Sequence, residues 1–445
     1  MRNILVLGAG KSSPYLIKYF LDNASSGSWN VTVADNLLSN AQQKIGNNPL
    51  GNAVQVNIND DEQRKNLIAK ADIVVSLLPP ALHEIIADNC LELNKNLATA
   101  SYVSLQMQAR HHHVFDKGLI FLNECGLDPG LDHMSAMKII EKIKADGGEI
   151  KSFKSYTGGL IAPQSNNNPW GYKFTWNPRN VILAGQSTAK FIEHGTFKYI
   201  PYQRLFSDIE KIKVNDVIYD GYANRDSLSY IKQYGLEGIP TMIRGTLRNQ
   251  GFCAAWNIFV QLGLTDDTYL IDAPVPLSYR TFLSGFLRHV SINYIEEALK
   301  QFINRYTNDE SVFEKIISTG ITSNEVVPIT NVSPAVILQQ LLEKKWALQP
   351  LDLDQIVMSH IFVYNDINGK KHQLTSNLIV TGEDASYTAM AKTVGLPLAI
   401  AVKNILNGAI KLKGVVIPNH VSVYDHTLKE LEKYGITFND SGGII

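Results

Sequence analysis

The sequence predicts an α/β fold: a doubly wound parallel sheet over residues 1 to 124, then a second domain of α+β structure carrying a helical insertion. Three observations predict it. Short apolar runs alternate with helical stretches up to about residue 124. The first of these runs opens into a glycine loop and then a helix. The alternation stops at 121–133, FLNECGLDPGLDH, beyond which longer strand patterns and a helical stretch take over.

A chain of 445 residues with 45 % hydrophobic and 19 % charged residues can bury large cores, and its length suits two to three domains. Lys+Arg 41 against Asp+Glu 42 gives a net charge of -1, so no whole-chain field recruits nucleic acid or an anionic membrane. Any affinity for small anions must come from local arginines. Cys90, Cys125 and Cys253 are odd in number and far apart, which argues against a disulfide framework and for reduced thiols in a cytoplasmic protein. The N-terminus MRNILVLGAG enters a strand at once, without a cleavage pattern, and no apolar stretch is read as approaching the roughly 18 residues that span a bilayer.

Residues 4–7 form a strand-like run, followed by Gly8-Ala9-Gly10 and a helix pattern at Tyr15, Leu16, Tyr19 and Phe20. Gly8 allows a tight turn, Gly10 lets the backbone approach a pyrophosphate, and the helix N-terminus offers free N–H groups. Ser13, followed by Pro14, stands where a third glycine is often found. A second strand, 31–34, ends in Asp35, about 25 residues past the glycines and close to the ~20 expected for an acidic residue on the adenine ribose. Further strands are read at 53–56, 73–78, 97–100 and 119–122. The ends of two of them, Ser76-Leu77-Leu78-Pro79 and Thr99-Ala100-Ser101-Tyr102, should line the cofactor crevice, and the Tyr102 hydroxyl can donate to a substrate. His111-His112-His113 reads as a solvated helix end, because neighbours on a helix point to different faces; no metal site is expected.

In the stretch 121–133, Gly126, Pro129 and Gly130 set a turn that carries Asp128 and Asp132. A helix is read from Met134 through Met137, Ile140 and Ile143, with Asp132 as its N-cap. Next, 150–156 alternates as a strand and delivers Thr157-Gly158-Gly159 to a loop. The aromatic run Trp170 to Asn177 around Lys173 suits a wall that keeps water from a reacting carbon while Lys173 meets an anion; an aromatic core strand with a snorkelling lysine is the alternative. Two arginine motifs follow, Asn224-Arg225-Asp226-Ser227 and Arg244-Gly245-Thr246-Leu247-Arg248. Guanidinium groups hold carboxylates by paired hydrogen bonds. Residues 276 to 345 turn helical, with Ser333-Pro334 starting the last helix. Strands return at 356–364 and 373–380 around a turn at Ile367-Asn368-Gly369-Lys370, and a long helical region, 388–406, is expected to break or kink at Gly395 and Pro397. Ala389, Ala391 and Ala399 permit close approach to another element. A final helix runs through Leu428 to Tyr434.

Taken together, GAGKSSPYL, DIVVSLLPP, ATASYVS, NECGLDPGLDHM, SYTGGLIAP, NNPWGYKFTW, NRDS, RGTLRNQGF and GEDASYTAMAKTVGLP resemble the glutamate-forming saccharopine dehydrogenase (saccharopine reductase) family over nearly the whole chain. The match is weakest between 270 and 350. The resemblance implies a Rossmann domain over 1–124 joined by part of 395–445, a mixed-sheet substrate and dimerisation domain over 125–275 and 346–394, a helical subdomain over 276–345, and a homodimer. It implies the reversible, NAD(P)-dependent oxidation of saccharopine, through an imine, to glutamate and 2-aminoadipate 6-semialdehyde. It places the phosphate loop on Gly8, Gly10, Lys11, Ser12 and Ser13, and substrate contacts on Ser101, Tyr102, Asp128, Arg225, Arg244 and Thr246. Many relatives carry a cysteine where this chain has Thr157.

A secondary amine bearing three carboxylates needs cations and a dry pocket, plus a base for its nitrogen; Asp128 and Tyr102 are the candidates for proton traffic. Cationic polyamine conjugates, the substrates of carboxynorspermidine- and homospermidine-type imine reductases, need an acidic pocket where this chain offers Arg225 and Arg244. A non-catalytic dinucleotide-binding protein is the reading of another class, against which the pocket residues stand complete. For the cofactor, Asp35 would repel a 2′-phosphate, and residues 36–40 contain no arginine or lysine to neutralise one, so NAD is expected over NADP. Lys11 is the nearest cation, directed at solvent or the pyrophosphate.

Overall fold

In the computed structural model, which describes residues 1–445 except 185, 273–275, 289, 290 and 330, the apolar runs of the N-terminal part become six strands. These are β1 (Arg2–Leu7), β2 (Trp29–Asp35), β3 (Gly51–Gln55), β4 (Ile73–Ser76), β5 (Asn96–Thr99) and β6 (Ile120–Leu122). With a seventh strand, Gly414–Val416, they form one sheet in the order Gly414–Val416, β6, β5, β4, β1, β2, β3, and every pairing is parallel. Ile4, Val6, Val31, Val33, Ile73 and Val75 are wholly buried, as a sheet covered on both faces requires. The order reverses at β1, which has β2 on one side and β4 on the other. Such a reversal opens a crevice outside the carboxyl ends of these strands.

The chain divides into two compact units, the first comprising Met1–Ile150, Tyr364–His372 and Leu378–Ile444. It runs past the expected boundary at 124, because the helix Leu131–Ala145 packs on the helices Ala389–Leu406 and Val421–Leu431 of the same unit. Ala389–Leu406 is one continuous helix with Pro397 inside it, so of the expected break or kink there is no break. It lies against the helix Pro14–Asp22. A Cβ on Gly395 would stand 3.0 Å from the Leu16 nitrogen and 3.3 Å from the Ser12 carbonyl oxygen, so the bare glycine sets how closely the two helices approach. Contrary to the expectation that no apolar stretch is long enough, this helix could cross a membrane by length and composition; 72 % of it is buried inside the protein, the condition of a core helix.

The second unit comprises Lys151–Val363 and Gln373–Asn377. Its sheet is built from β7 (Glu149–Ile161), β8 (Ala189–Glu193), β9 (Thr196–Ile200), β10 (Ile209–Val214), β11 (Val217–Ala223), β12 (Thr241–Asn249), β13 (Asp354–Asn365) and β14 (Lys371–Thr381). β10, β11 and β12 pair antiparallel and β12 pairs parallel with β7, which makes the sheet mixed; β13 and β14 follow beyond β7. β7 does not end at Tyr156 but runs on through Gly158. A Cβ there would meet the Leu247 oxygen of β12 at 2.7 Å, so this glycine lets the two strands stay adjacent rather than delivering a loop. The turn between β13 and β14 is closed by Asp366, whose Oδ1 accepts from the Asn368 and Lys370 amides at 2.9 Å, with Gly369 at φ +78°.

Four helices, Tyr279–Ser284, Ile295–Ile303, Glu310–Ser318 and Pro334–Lys345, fill the predicted helical stretch. Their apolar faces join a core with Trp170, Tyr172, Phe174, Phe252, Trp256 and Trp346. The aromatic run is packed into this core, the alternative given to a wall that keeps water from a reacting carbon. Trp170 stacks on Phe259 at 5.6 Å, and Trp346 meets Tyr172 and Phe174 at 5.4 Å each.

Candidate active site

The glycine loop follows β1 directly. Gly8 has φ +98°, and a Cβ there would lie 3.1 Å from the Leu77 carbonyl oxygen at the end of β4; the position admits only glycine. The Gly8 amide donates to the Ala34 oxygen at 2.8 Å and the Leu77 amide to the Leu7 oxygen at 2.9 Å, so the loop is laced to both neighbouring strand ends. A Cβ on Gly10 would meet nothing within 4 Å, which leaves room for a ligand over the loop. The Ser13 hydroxyl donates to the Gly10 oxygen at 2.8 Å, Ser12 is half-buried, and Lys11 is exposed. This arrangement fits the pyrophosphate of a dinucleotide.

Asp35 is less free than the sequence suggests. Its Oδ2 accepts from the Ala9 amide at 2.7 Å, and its Oδ1 accepts from the Leu37 amide at 2.9 Å and the Asn40 side chain at 3.1 Å. The carboxylate thus pins the glycine loop to the turn after β2, and most of its lone pairs are taken before any ribose arrives.

The ends of β4 and β5 meet through a residue the sequence reading passed over. His83, the first residue of the helix His83–Glu92, lies between Ser76 and Ser101: its Nδ1 is 2.9 Å from the Ser76 hydroxyl oxygen and its Nε2 is 2.7 Å from that of Ser101. Burial pushes its imidazole down to about 4, so the ring is neutral near pH 7. Leu77 and Leu78 are half-buried beside this bridge.

After β6 the chain makes the turn that carries Asp128. Gly130, at φ +144°, leaves no space for a Cβ, which would fall 2.2 Å from the Gly126 nitrogen. The helix starts at Leu131, earlier than expected, with Gly130 as its N-cap. Asp132 lies in the first turn, where its Oδ1 accepts from the Gly130 amide at 2.6 Å. Tyr102 and Asp128 are both half-buried, and the Tyr102 hydroxyl donates to Asp128 Oδ1 at 3.1 Å. Behind them lies a buried polar group missed from sequence: His133 Nε2 is 2.9 Å from Glu124 Oε2, its Nδ1 is 3.5 Å from Asp132 Oδ2, and Glu124 Oε1 accepts from the Val103 amide at 3.0 Å. That last bond ties the segment carrying Tyr102 to the turn carrying Asp128. NECGLDPGLDH placed all four groups in one stretch, but a buried ion cluster has no periodic signature.

In the second unit the two arginine motifs come together. The Asn224 amide donates to the Arg244 oxygen at 2.8 Å, and the Arg244 amide donates to the Ser227 hydroxyl at 2.9 Å. Arg225 is exposed at φ +36°, held by its carbonyl accepting from the Lys190 amide at 2.6 Å. The buried Arg244 guanidinium lies 4.2 Å over the Tyr230 ring. Half-buried Thr246 stands opposite Thr157 in the sheet register, and the buried Thr157 hydroxyl has no hydrogen-bond partner among the described residues. Lys173 does not join this group. It is 3 % exposed and its ammonium is held at 2.5 Å by Asp352, so its charge is spent inside the core and is withdrawn from the anion-binding role expected.

A parallel sheet with a glycine loop at its reversal point defines the class: a dinucleotide-binding protein, with a tyrosine–aspartate pair in the same unit. Comparison with known proteins narrows it. Residues 4–122 match the saccharopine dehydrogenase NADP binding domain, and residues 126–436 the saccharopine dehydrogenase C-terminal domain. The chain belongs to the saccharopine dehydrogenase family. It is 32 % identical over 455 residues to the Schizosaccharomyces pombe protein named saccharopine dehydrogenase (NADP(+), L-glutamate-forming), covering 99 % of each chain. It is 33 % identical over 451 residues to the mitochondrial alpha-aminoadipic semialdehyde synthase of Rattus norvegicus, covering 100 % of this chain but 48 % of that one, so it spans about half the length of such relatives. The structure of apo saccharopine dehydrogenase (L-Glu forming) from Saccharomyces cerevisiae superposes with a TM-score of 0.88 at 30 % identity, covering 100 % of both chains.

Proposed function

We propose that this chain is a glutamate-forming saccharopine dehydrogenase, an oxidoreductase acting on the CH–NH group of a secondary amine. The observation that carries the reading is the Tyr102–Asp128 hydrogen bond of 3.1 Å, in the same unit as the glycine loop. When bound, the dinucleotide supplies the hydride acceptor. Asp128 takes the proton of the substrate amine, so that the nitrogen lone pair is available as the C–H bond breaks, and the imine forms. Water then adds to the imine carbon, Asp128 and Tyr102 shuttle its proton to nitrogen, and the C–N bond breaks to release glutamate and the semialdehyde. Arg225 and Arg244 hold substrate carboxylates, with Ser101 and Thr246 as neutral donors. The chain works as a homodimer in a reducing, cytoplasmic compartment, with its three cysteines buried and unpaired; light scattering and fractionation test these two points.

For the dinucleotide we favour NAD. Although Asp35 has little capacity left for ribose hydroxyls, its charge is fixed beside the glycine loop and opposes a 2′-phosphate. NADP is the second reading, supported by the description of the matching N-terminal domain and by the name of the fission-yeast relative. Mixing the protein with saccharopine and either NAD⁺ or NADP⁺, and following the absorbance of the reduced nicotinamide, tests the whole proposal. No absorbance with either cofactor would refute it.

A further inference from the structure

His83 is buried, opens the helix His83–Glu92, and touches two residues from different strand ends: Ser76 at the end of β4 and Ser101 just past β5. A neutral imidazole has one donor and one acceptor nitrogen, so it imposes a direction on whatever it bridges. Ser76 sets that direction. Its side chain is wholly buried, and among the described residues the only acceptor within reach of its hydroxyl hydrogen is His83 Nδ1 at 2.9 Å. Left undonated, that hydrogen would carry the cost of an unsatisfied buried donor. Nδ1 is therefore the acceptor and Nε2 carries the proton. Nε2 faces the Ser101 oxygen at 2.7 Å, whereas Thr99 Oγ1 stands at 3.4 Å, beyond ordinary hydrogen-bond range, so the shorter contact decides. Ser101 then accepts from the ring, and its own hydroxyl hydrogen is turned away from His83.

We infer that His83 is a positioning residue that holds the Nε2–H tautomer and thereby presents the Ser101 hydroxyl as an obligate hydrogen-bond donor to an anionic group of the substrate, a carboxylate. This rests on the assignment of Ser101 to the substrate pocket. A serine free to rotate would offer either a hydrogen or a lone pair. With one of its two lone pairs taken by His83 and its hydrogen turned away from the ring, the hydroxyl directs that hydrogen to the substrate side and favours an anion there.

Two measurements test it. Long-range ¹H–¹⁵N correlation spectra of protein labelled at histidine nitrogen should show His83 with Nε2 protonated and Nδ1 bare, a readout independent of turnover; the opposite tautomer overturns the proposal even if the enzyme oxidises saccharopine. Kinetics supply the second. His83→Asn keeps an acceptor near Nδ1 but loses the donor to Ser101, and its KM for saccharopine should rise about tenfold with kcat changed less than threefold. His83→Gln restores a donor near Nε2 and should recover most of that loss. Ser101→Ala should raise KM by a similar factor, and adding His83→Asn to it should raise KM no further. Equal KM in His83→Asn and wild type, or full additivity in the double variant, overturns the inference. Absence of saccharopine oxidation in the wild type would instead refute the functional reading while leaving the tautomer result standing.

Discussion

The phenol of Tyr102 donates its hydrogen to the Asp128 carboxylate at 3.1 Å. In the proposed mechanism the carboxylate is the base, and the phenol steadies it and can hand on a proton. Asp128→Asn keeps the shape and removes the base, so kcat should fall by about 10²-fold or more, and the acidic limb of the pH–rate profile should disappear. Tyr102→Phe should cost less. Full turnover in Asp128→Asn, with only a lowered melting temperature, would leave Asp128 a turn residue.

The joined arginine motifs predict a KM effect. Arg225→Ala and Arg244→Ala should each raise the KM for saccharopine by roughly ten- to a hundred-fold, the equivalent of losing a charge-assisted pair worth about 1.5–3 kcal/mol, while dinucleotide binding stays nearly unchanged. Arg225 is the cleaner probe because it is exposed, whereas Arg244 also packs on Tyr230. Unaltered saccharopine kinetics in both variants would remove them from the pocket.

Cofactor choice is tested at Asp35. Comparing kcat/KM for NAD⁺ and NADP⁺ should show NAD⁺ preferred, and Asp35→Ala should shift the ratio toward NADP⁺. Because the carboxylate also anchors the Ala9 amide, the substitution should raise the KM for both cofactors. A wild type that prefers NADP⁺ would establish the second reading.

Lys173 and Asp352 make a stability prediction. Removing one member of a buried pair leaves the other charge unpaired, at a cost of about 3–5 kcal/mol, whereas replacing both by apolar side chains is often neutral. Lys173→Met should therefore lower the urea midpoint sharply, and Lys173→Met with Asp352→Leu should regain much of it. Saccharopine KM in the double variant should match wild type; a large rise would return Lys173 to the pocket.

His83 also leaves a pH signature. Its folded value, about 4, lies below the ordinary value near 6.5, so the unfolded chain binds the extra proton first as pH falls. The contribution is complete above pH 6.5 and is lost progressively down to about pH 4, amounting to roughly 3 kcal/mol. Denaturation at pH 7.5 and 4.5 should show a smaller pH difference in His83→Gln than in the wild type. An identical difference would mean that this ring does not titrate on unfolding.

The parallel sheet was legible in the sequence because strands buried on both faces write themselves as uninterrupted apolar runs: Ile4 to Leu7 and Ile73 to Val75 need no partner to be recognised. Asp128 and Tyr102 were singled out because strand ends in such sheets face the crevice, and the fold joins them by a hydrogen bond. What the sequence hid were partners. Lys173 was assigned from the aromatic run around it, and what decides its charge is the partner that reaches it through the fold, Asp352; Asp35 was placed from its position after the second strand, and the Ala9 amide that occupies one of its oxygens could not be read there. His83 was overlooked for the converse reason, since a single histidine among prolines carries no pattern until Ser76 and Ser101 close around it. Gly395 and Pro397 were read as breakers, yet the helix continues because its neighbours fix it, with Leu16 packed on Gly395 and the Cys125 thiol against the Pro397 oxygen at 3.8 Å.

The seventh strand of the nucleotide-binding sheet, Gly414–Val416, and the helix Ala389–Leu406 that packs on Pro14–Asp22 are synthesised after Lys151–Val363 and Gln373–Asn377 of the second unit. Until they emerge, β6 has an open hydrogen-bonding edge and the face of Leu16 packed by Gly395 is bare. The cofactor unit is started before the second unit and completed after it, so its assembly brackets that of the second unit. A nascent chain stalled after the second unit would hold a half-closed sheet with an aggregation-prone edge, which makes this the window in which a chaperone has most to protect.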